Sequence, residues 1–487
     1  MIPVTVVVLV QYRDLYSGST PPTVTNHGTL SLNMALNARF CGTAGRLSSR
    51  YSPYVFLTKR ADLMSHPFEE AITAEAGSLA EYCRTVTEPY VVSENSLMWL
   101  ARLALGLDRD LTADGLGRFL ASCRLLMLAV FGFALIRTGS PVLLTLAAVL
   151  VGCAILRGLG VRDTTYPFVL TLPLLHAAAY GLASASRFAR NRRVALWTFT
   201  LGMGILTAHS ASTRTILLPM SLAMFGVFLF ALFKARDPSQ AVARSVTLLA
   251  VATVAFGLGY AGYVRIFIEP LRFKNNAAVS DYAYHTVAHP LVLGLAVPES
   301  SFSQREGIRW DDMVGLTLAQ RVAPGVDLLG SQYETALLRY YGRLWRKHPR
   351  DMAMVYAQKL RSAGSGVFLS AANIGAEFGL PCGPAEWMHR VMNGVVLLAF
   401  GVVTFVITLV RHVRHHGSRM LIIALVSVAG LAALGEAFLM YSLFMTIYYS
   451  ELLFFVLFAF LVSVQAAGDL VARTISRTGD PGVRSLS

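Results

Sequence analysis

Charge is scarce in this sequence. Asp, Glu, Lys and Arg together make up 14% of 487 residues, against about 25% in soluble globular proteins, too few to clothe a water-facing surface of this size. Only five of the 42 basic residues are lysine. Cysteine is sparse too, with five residues and no pair spaced as a zinc or thiol-redox motif. There is no internal repeat, no low-complexity tract and no heptad array, which excludes solenoid, linker and coiled-coil architectures. The apolar segments show no period-2 alternation, which excludes a barrel of spanning strands.

What is abundant is apolar sequence: 55% of residues are hydrophobic and the mean hydropathy is +0.54. A helix crossing a bilayer needs about 20 mostly apolar residues. Runs reaching or approaching that length are Phe119–Ile136, Val142–Leu156, Pro167–Ser186, Val194–Ala208, Ile216–Phe233, Ser245–Ile268, Val391–Val410, Met420–Leu434 and Phe438–Val464. Ile2–Val10 is half a span, with neither the basic start nor the small-residue cleavage site of a signal peptide, and reads either as the end of a longer first helix or as a helix finished by residues drawn up from the loop. Backbone groups inside lipid must pair within their own segment, so every run is expected to be helical. The expected fold is all-α: one polytopic membrane domain over 1–487, a helical bundle of about ten spans.

Arginine placement predicts the orientation. Arg137, the run Arg187–Arg190–Arg192–Arg193, then Lys234, Arg236 and Arg244, then Arg411, Arg414 and Arg419, and finally a tail over 465–487 fall on alternate connections. The opposite short connections hold only Arg157, Arg162 and Arg214. Basic residues are retained on the cytoplasmic side, so two long polar loops, 12–118 and 269–390, face outward and the tail is cytoplasmic. The two large loops would then open to a periplasm or cell exterior. The net charge of +14 and the isoelectric point near 9.7 belong to these turns and mark no nucleic-acid footprint. Membrane lipids are the expected partners. Three cysteines, Cys41, Cys83 and Cys382, lie in the outward loops, where a bridge between Cys41 and Cys83 is one open pairing.

The candidate chemistry sits in those loops. Asp14 falls where the first helix leaves the membrane, beside Arg13, and can act as a base on an acceptor hydroxyl or stand as a solvated helix-end carboxylate. A helical stretch opens at Pro67 and runs to about Val86. A second, interfacial helix carries Leu97, Trp99, Leu100, Leu103 and Leu105 on one face. Glu94 before it is either a further site carboxylate or a favourable charge at the helix N-terminus.

In the second loop His285 and His289 stand at i, i+4, a metal-ligand spacing, although Pro290 biases His289 away from the α region. One histidine is alternatively a phosphate contact. Arg305 and Arg309 follow, and then Asp311 and Asp312, a pair able to hold a divalent cation or simply be solvated. From Tyr333 a helix places Leu337, Leu338, Tyr341, Leu344 and Trp345 on one expected face, flanked by Arg339, Arg343, Arg346 and Lys347. Such a helix suits a phospholipid surface or a lipid-linked phosphate.

With a first helix, an outward loop opening on an acidic residue and holding interfacial helices, a bundle, and a later outward loop rich in Arg and His, the layout resembles the GT-C superfamily of integral-membrane glycosyltransferases. The resemblance implies a polyprenyl-phosphate-linked sugar as donor. It implies Asp14 as catalytic base, with Glu94 positioning the acceptor. The donor phosphate would be held by His285, His289, Arg305, Arg309 and Arg339, and Asp311 and Asp312 are the metal candidates. The rival class is a non-enzymatic transporter or flippase of an envelope lipid, whose site would lie on polar groups in or near the spans: His176, near Pro173, with His209, Arg214, Glu436 and Glu451.

Overall fold

The structure, a computed structural model, describes residues 35–42, 46–47, 61–63, 65–84, 86–87, 95–108, 110–137, 166–183, 193–213, 217–234, 242–268, 287–326, 331–361 and 418–440. It also describes isolated helical positions within 402–406 and 459–471. Asp14, Glu94, His285 and the apolar stretches 2–10 and 142–156 lie outside these residues, as does most of 391–410 and 438–464. The described chain is helical apart from one short antiparallel ladder, Arg46–Leu47 (β1) paired with Val86–Thr87 (β2).

The first loop contributes α1 (Phe68–Ala76), α2 (Leu79–Arg84) and α3 (Asn95–Leu107). The single stretch expected from Pro67 to Val86 is broken because Gly77 takes φ +79°, a left-handed value that ends α1. Among the described residues six helices build the bundle: α4 (Ala113–Arg137), α5 (Tyr166–Ala183), α6 (Arg193–Thr213), α7 (Leu217–Lys234), α8 (Val242–Tyr263) and, after the second loop, Ser418–Met440. A π-helical turn, Val264–Ile268, extends α8. Four helices among the described residues are long and apolar enough to cross a membrane: Ala113–Arg137, Arg193–Thr213, Leu217–Lys234 and Ser245–Phe267. They mark the chain as a membrane protein.

Helix directions follow from residue pairs. Gly204 and Gly259 face each other's helices. A β-carbon on Gly204 would strike the Phe256 carbonyl oxygen, and one on Gly259 would strike that of Leu201. Farther along, His209 meets Tyr263, so α6 and α8 run parallel in backbone contact. Phe225 of α7 stacks on Phe256 with ring centroids 4.0 Å apart, while Phe228, one turn on, meets Phe199. Helix α7 is therefore antiparallel to both neighbours. In α5, Tyr180 meets Phe199 and His176 meets Thr207, which makes α5 antiparallel to α6. The last of the six starts beside the end of α5, where Ile422 fills the space over Gly181.

The C-terminal ends of α6, α8 and Ser418–Met440 thus share one end of the bundle, and both loop units sit there. Trp99 of α3 meets Phe267 at 5.4 Å and Tyr263 at 6.3 Å. Phe68 donates its backbone N–H to Leu111, and Pro67 pairs with Thr112 at the foot of α4. The second loop folds as α9 (Ala288–Leu293) with a 3-10 turn to Ala296, α10 (Ser301–Glu306), α11 (Asp312–Gln320), α12 (Ser331–Lys347) and a helix over residues 349–361. Ser418–Met440 is α13. The second-loop helices enclose their own core, including Leu293, Phe302, Leu337, Leu344 and Met352. Burying each such side chain is worth roughly 1.5–3 kcal/mol. Helix α9 and its 3-10 turn also pack on α13.

Without a hydrophobic drive between helices in lipid, close glycine packing supplies the contact energy. Gly204→Leu or Gly259→Leu is expected to lower the apparent melting temperature of the detergent-solubilised protein sharply, since overpacking costs about 1–3 kcal/mol or more. Gly202 and Gly257 have open space where a β-carbon would go, so Ala at either is expected to be neutral or slightly stabilising. Equal losses at all four positions would contradict this packing.

Candidate functional site

The loop-bearing end of the bundle gathers the polar side chains. In the first unit, Cys41 and Cys83 form a disulfide with Cα atoms 5.4 Å apart. Beneath it Tyr82 is fully buried, its hydroxyl donating to Asn37 Oδ1. Burial pushes the Tyr82 phenol well above its usual range. Helix α3 then brings Trp99 over His209 and Tyr263, whose hydroxyl lies 2.7 Å from His209 Nδ1. One helix across, His176 Nδ1 donates to Leu172 O at 2.9 Å, leaving Nε2 to accept from the Thr207 hydroxyl at 3.4 Å. His176, Thr207, His209, Ser210 and Thr213 are all buried, and together they make a polar seam within the bundle below α3.

In the second unit the candidate residues divide. His289 is in the helix that Pro290 was expected to disfavour, because Pro290 falls in the first turn of α9, where its missing N–H has no intrahelical partner to lose. His289 is buried, and its Nδ1 lies 2.7 Å from the Tyr333 hydroxyl. The start of α9 is held by Glu334 of α12, whose carboxylate accepts from the backbone N–H groups of Val287, Ala288 and His289 at 3.1, 2.6 and 3.3 Å. An anion at a helix N-terminus is favoured by both orphan donors and dipole. Because α9 begins at Ala288, no described helical face joins His289 back to His285.

Arg305 is committed within the unit. It pairs with Asp351 at 2.6 Å and lies over the Phe302 ring, while His348 lies within 3.7 Å of Glu306 and 3.9 Å of Asp351. This network ties α10 to the helix over 349–361. Asp311 caps α11 by accepting from Met313 N at 2.7 Å, and Asp312 is the first residue of that helix. Among the described residues no group of three or more His, Cys, Asp or Glu side chains is arranged for a metal ion. Arg309 and Arg339 are exposed. Arg339 shares its face of α12 with Arg343, Arg346 and Lys347. The expected apolar face of α12 is split: Leu337 and Leu344 are buried and Tyr341 is half-buried, whereas Leu338 and Trp345 are exposed.

Two residues that join the second unit together and to the bundle were not singled out from sequence. Glu334 gives no local signal, because its partners lie some 45 residues upstream. Lys359 does give one: it follows Met352, Val355 and Tyr356 at helical spacing on the buried face. Its side chain is 1% exposed, Nζ donates to Leu439 O at 3.2 Å and lies 5.5 Å from the Tyr356 ring centroid. Leu439 belongs to α13 (Ser418–Met440). The bond therefore clamps the second unit to a bundle helix. Burial pushes the Lys359 ammonium down to about 7.

Comparison with known proteins finds no family model, no curated protein and no solved structure that matches this chain.

The clamp has a pH signature. The folded pKa of Lys359 is lowered, so the unfolded chain binds more protons between about pH 7 and about pH 10.4. The burial penalty is full below that window and relieved as pH rises through it. Lys359→Met removes a penalty on the order of 4 kcal/mol at acidic pH and forfeits a hydrogen bond worth about 0.5–1.5 kcal/mol. Hydrogen exchange of residues 349–361 is expected to show the variant better protected at about pH 6, with the difference vanishing or reversing near pH 10. A pH-independent difference would contradict it.

Proposed function

We propose that this protein is a bacterial inner-membrane enzyme of the glycosyltransferase type, acting at the outer face of the membrane on a polyprenyl-phosphate-linked sugar. In this reading the bundle has about ten spans, the loop-bearing end faces outward and the C-terminal tail is cytoplasmic. Asp14 takes the proton from an acceptor hydroxyl of an envelope glycan, lipid or protein. The oxygen attacks the anomeric carbon, and the bond to the polyprenyl phosphate breaks with the electron pair leaving on the phosphate. Glu94 positions the acceptor. Cationic donors meet the charge developing on the phosphate, where preorganised electrostatics contribute most.

The observation that carries the reading is the gathering of both loop units at one end of the bundle, where a lipid-anchored donor and a water-borne acceptor can meet. The disulfide between Cys41 and Cys83 supports an oxidising, outward side for that end. Of the phosphate ligands proposed, Arg309 and Arg339 are exposed and, with His285, carry the role. Arg305 is engaged by Asp351 and His289 by Tyr333, so both support the site from behind. Asp311 and Asp312 supply two donors to which the described residues add no third, and no step runs through a metal.

A second reading, a transporter or flippase of an envelope lipid, is favoured by the buried seam of His176, Thr207, His209 and Tyr263, because ionisable residues inside a membrane bundle are costly and usually mark pathways.

Washed membranes supplied with polyprenyl-phosphate sugars separate the two. Asp14→Asn is expected to cut glycan transfer by about 10²–10⁴-fold at unchanged expression, with His209→Gln retaining transfer. Wild-type transfer by Asp14→Asn would contradict the enzymatic mechanism. Lipid translocation lost in His209→Gln, with no transfer by the parent protein, would establish the transporter.

A further inference from the structure

We propose that α12 and the helix over 349–361 form a docking surface for the headgroups of anionic phospholipids in the surrounding bilayer, holding the second loop unit down on the membrane. The surface has two parts. Arg339, Arg343, Arg346 and Lys347 recur at i, i+4, i+7 and i+8 of α12, all exposed, and none forms an ion pair with a described residue. Arg305, by contrast, has its carboxylate in Asp351. Four cations along about 12 Å of helix make a strip of one sign, complementary to lipid phosphates and poorly suited to any neutral partner.

The second part fixes the height of that strip. Trp345 stacks on Tyr356 with planes 7° apart and centroids 6.0 Å apart, and the Tyr356 and Tyr341 hydroxyls are 2.8 Å apart. Tyr356 neighbours Lys359, which is bonded to Leu439 of α13. An unbroken chain of contacts therefore runs from Leu439 of a bundle helix to Trp345, which stays 37% exposed beside Leu338 at 48%. Tyr and Trp at a helix end, with an exposed apolar flank, are the composition of the membrane–water boundary. The cations lie one face away from that flank, where the headgroups of the same leaflet would be. A solvated basic face explains the charges. It does not explain exposed Trp345 and Leu338 tethered to a bundle helix.

The strip shares Arg339 with the proposed donor site, and the test separates the two by measuring the effect of bilayer lipid before any polyprenyl phosphate is added. The full-length protein is placed in nanodiscs of phosphatidylcholine alone or with about 30 mol% phosphatidylglycerol, and amide exchange is followed over 338–361, with the α6–α8 crossing as the internal fold reference. The expected result is exchange slowed about tenfold by phosphatidylglycerol, a gain that disappears as salt is raised from about 0.05 to about 0.5 M. The combined Arg339→Gln, Arg343→Gln, Arg346→Gln, Lys347→Gln variant should lose that lipid dependence with the reference region unchanged. Equal exchange of the parent protein in both lipids would overturn the proposal. So would protection that appears only when a trace of polyprenyl phosphate is added, which would assign the strip to the sugar donor instead.

Discussion

The backbone contact between α6 and α8 at Gly204 and Gly259 is the constraint on which the rest of the described structure depends. Two parallel helices can touch at this distance only where neither carries a β-carbon. Since they are parallel and nearly consecutive, α7 must return between them, and its Phe225 and Phe228 do so by packing on Phe256 and on Phe199. The same crossing sets the register that brings His209 against Tyr263, four residues beyond the glycines on one helix and five on the other. That pair, with Phe267, is the ground on which Trp99 of the first loop rests.

Both loops are folded units, and each is held by different chemistry. The first is small, closed by a disulfide and by the Asn37 and Tyr82 side chains over a minor apolar cluster, and it joins the bundle through Trp99 and the foot of α4. The second has a true core of its own. Its polar side chains serve internal order: part-buried Glu334 holds the start of α9, Tyr333 and His289 pair inside the core, and Asp351 meets Arg305 at the surface. Buried polar groups satisfied in this way specify one arrangement, because losing a partner leaves a desolvated donor or acceptor. Lys359 is the exception in kind. It donates to the Leu439 carbonyl of α13 at the cost of burying an ammonium group, which makes the joint between loop unit and bundle sensitive to pH.

Much of the bundle was legible in the sequence. The apolar runs 119–136, 194–208, 216–233 and 245–268 each fall on one helix, α4, α6, α7 and α8 with its π turn. Over their described residues the runs Pro167–Ser186 and Met420–Leu434 fall on α5 and α13. The loops were legible in composition and less so in arrangement. Periodicity found α12 and put Leu337, Leu338, Tyr341, Leu344 and Trp345 on one face, but Leu337 and Leu344 are buried while Leu338 and Trp345 are exposed, because a periodic pattern does not say which edge of an amphipathic helix meets a neighbour. The expected bias of Pro290 was overridden by its place in a first turn. Glu334 and Tyr333 act on residues more than 40 positions away, contacts that no local pattern encodes. Lys359 was readable as a lysine on an apolar face. Asp14, Glu94 and His285, on which the catalytic reading depends most, lie outside the described residues.

The central claim is that both loop units share one end of the bundle and that this end faces outward. Impermeant thiol labelling of intact cells tests it directly, using single cysteines in a protein whose Cys123, Cys153 and Cys382 have been replaced by serine. Ala74→Cys in α1, Ser301→Cys in α10 and Val194→Cys at the start of α6 are all exposed positions. The account predicts that the first two label from outside and the third only after the membrane is permeabilised. Labelling of Ala74→Cys and Ser301→Cys from opposite sides, or of Val194→Cys together with them, would contradict it.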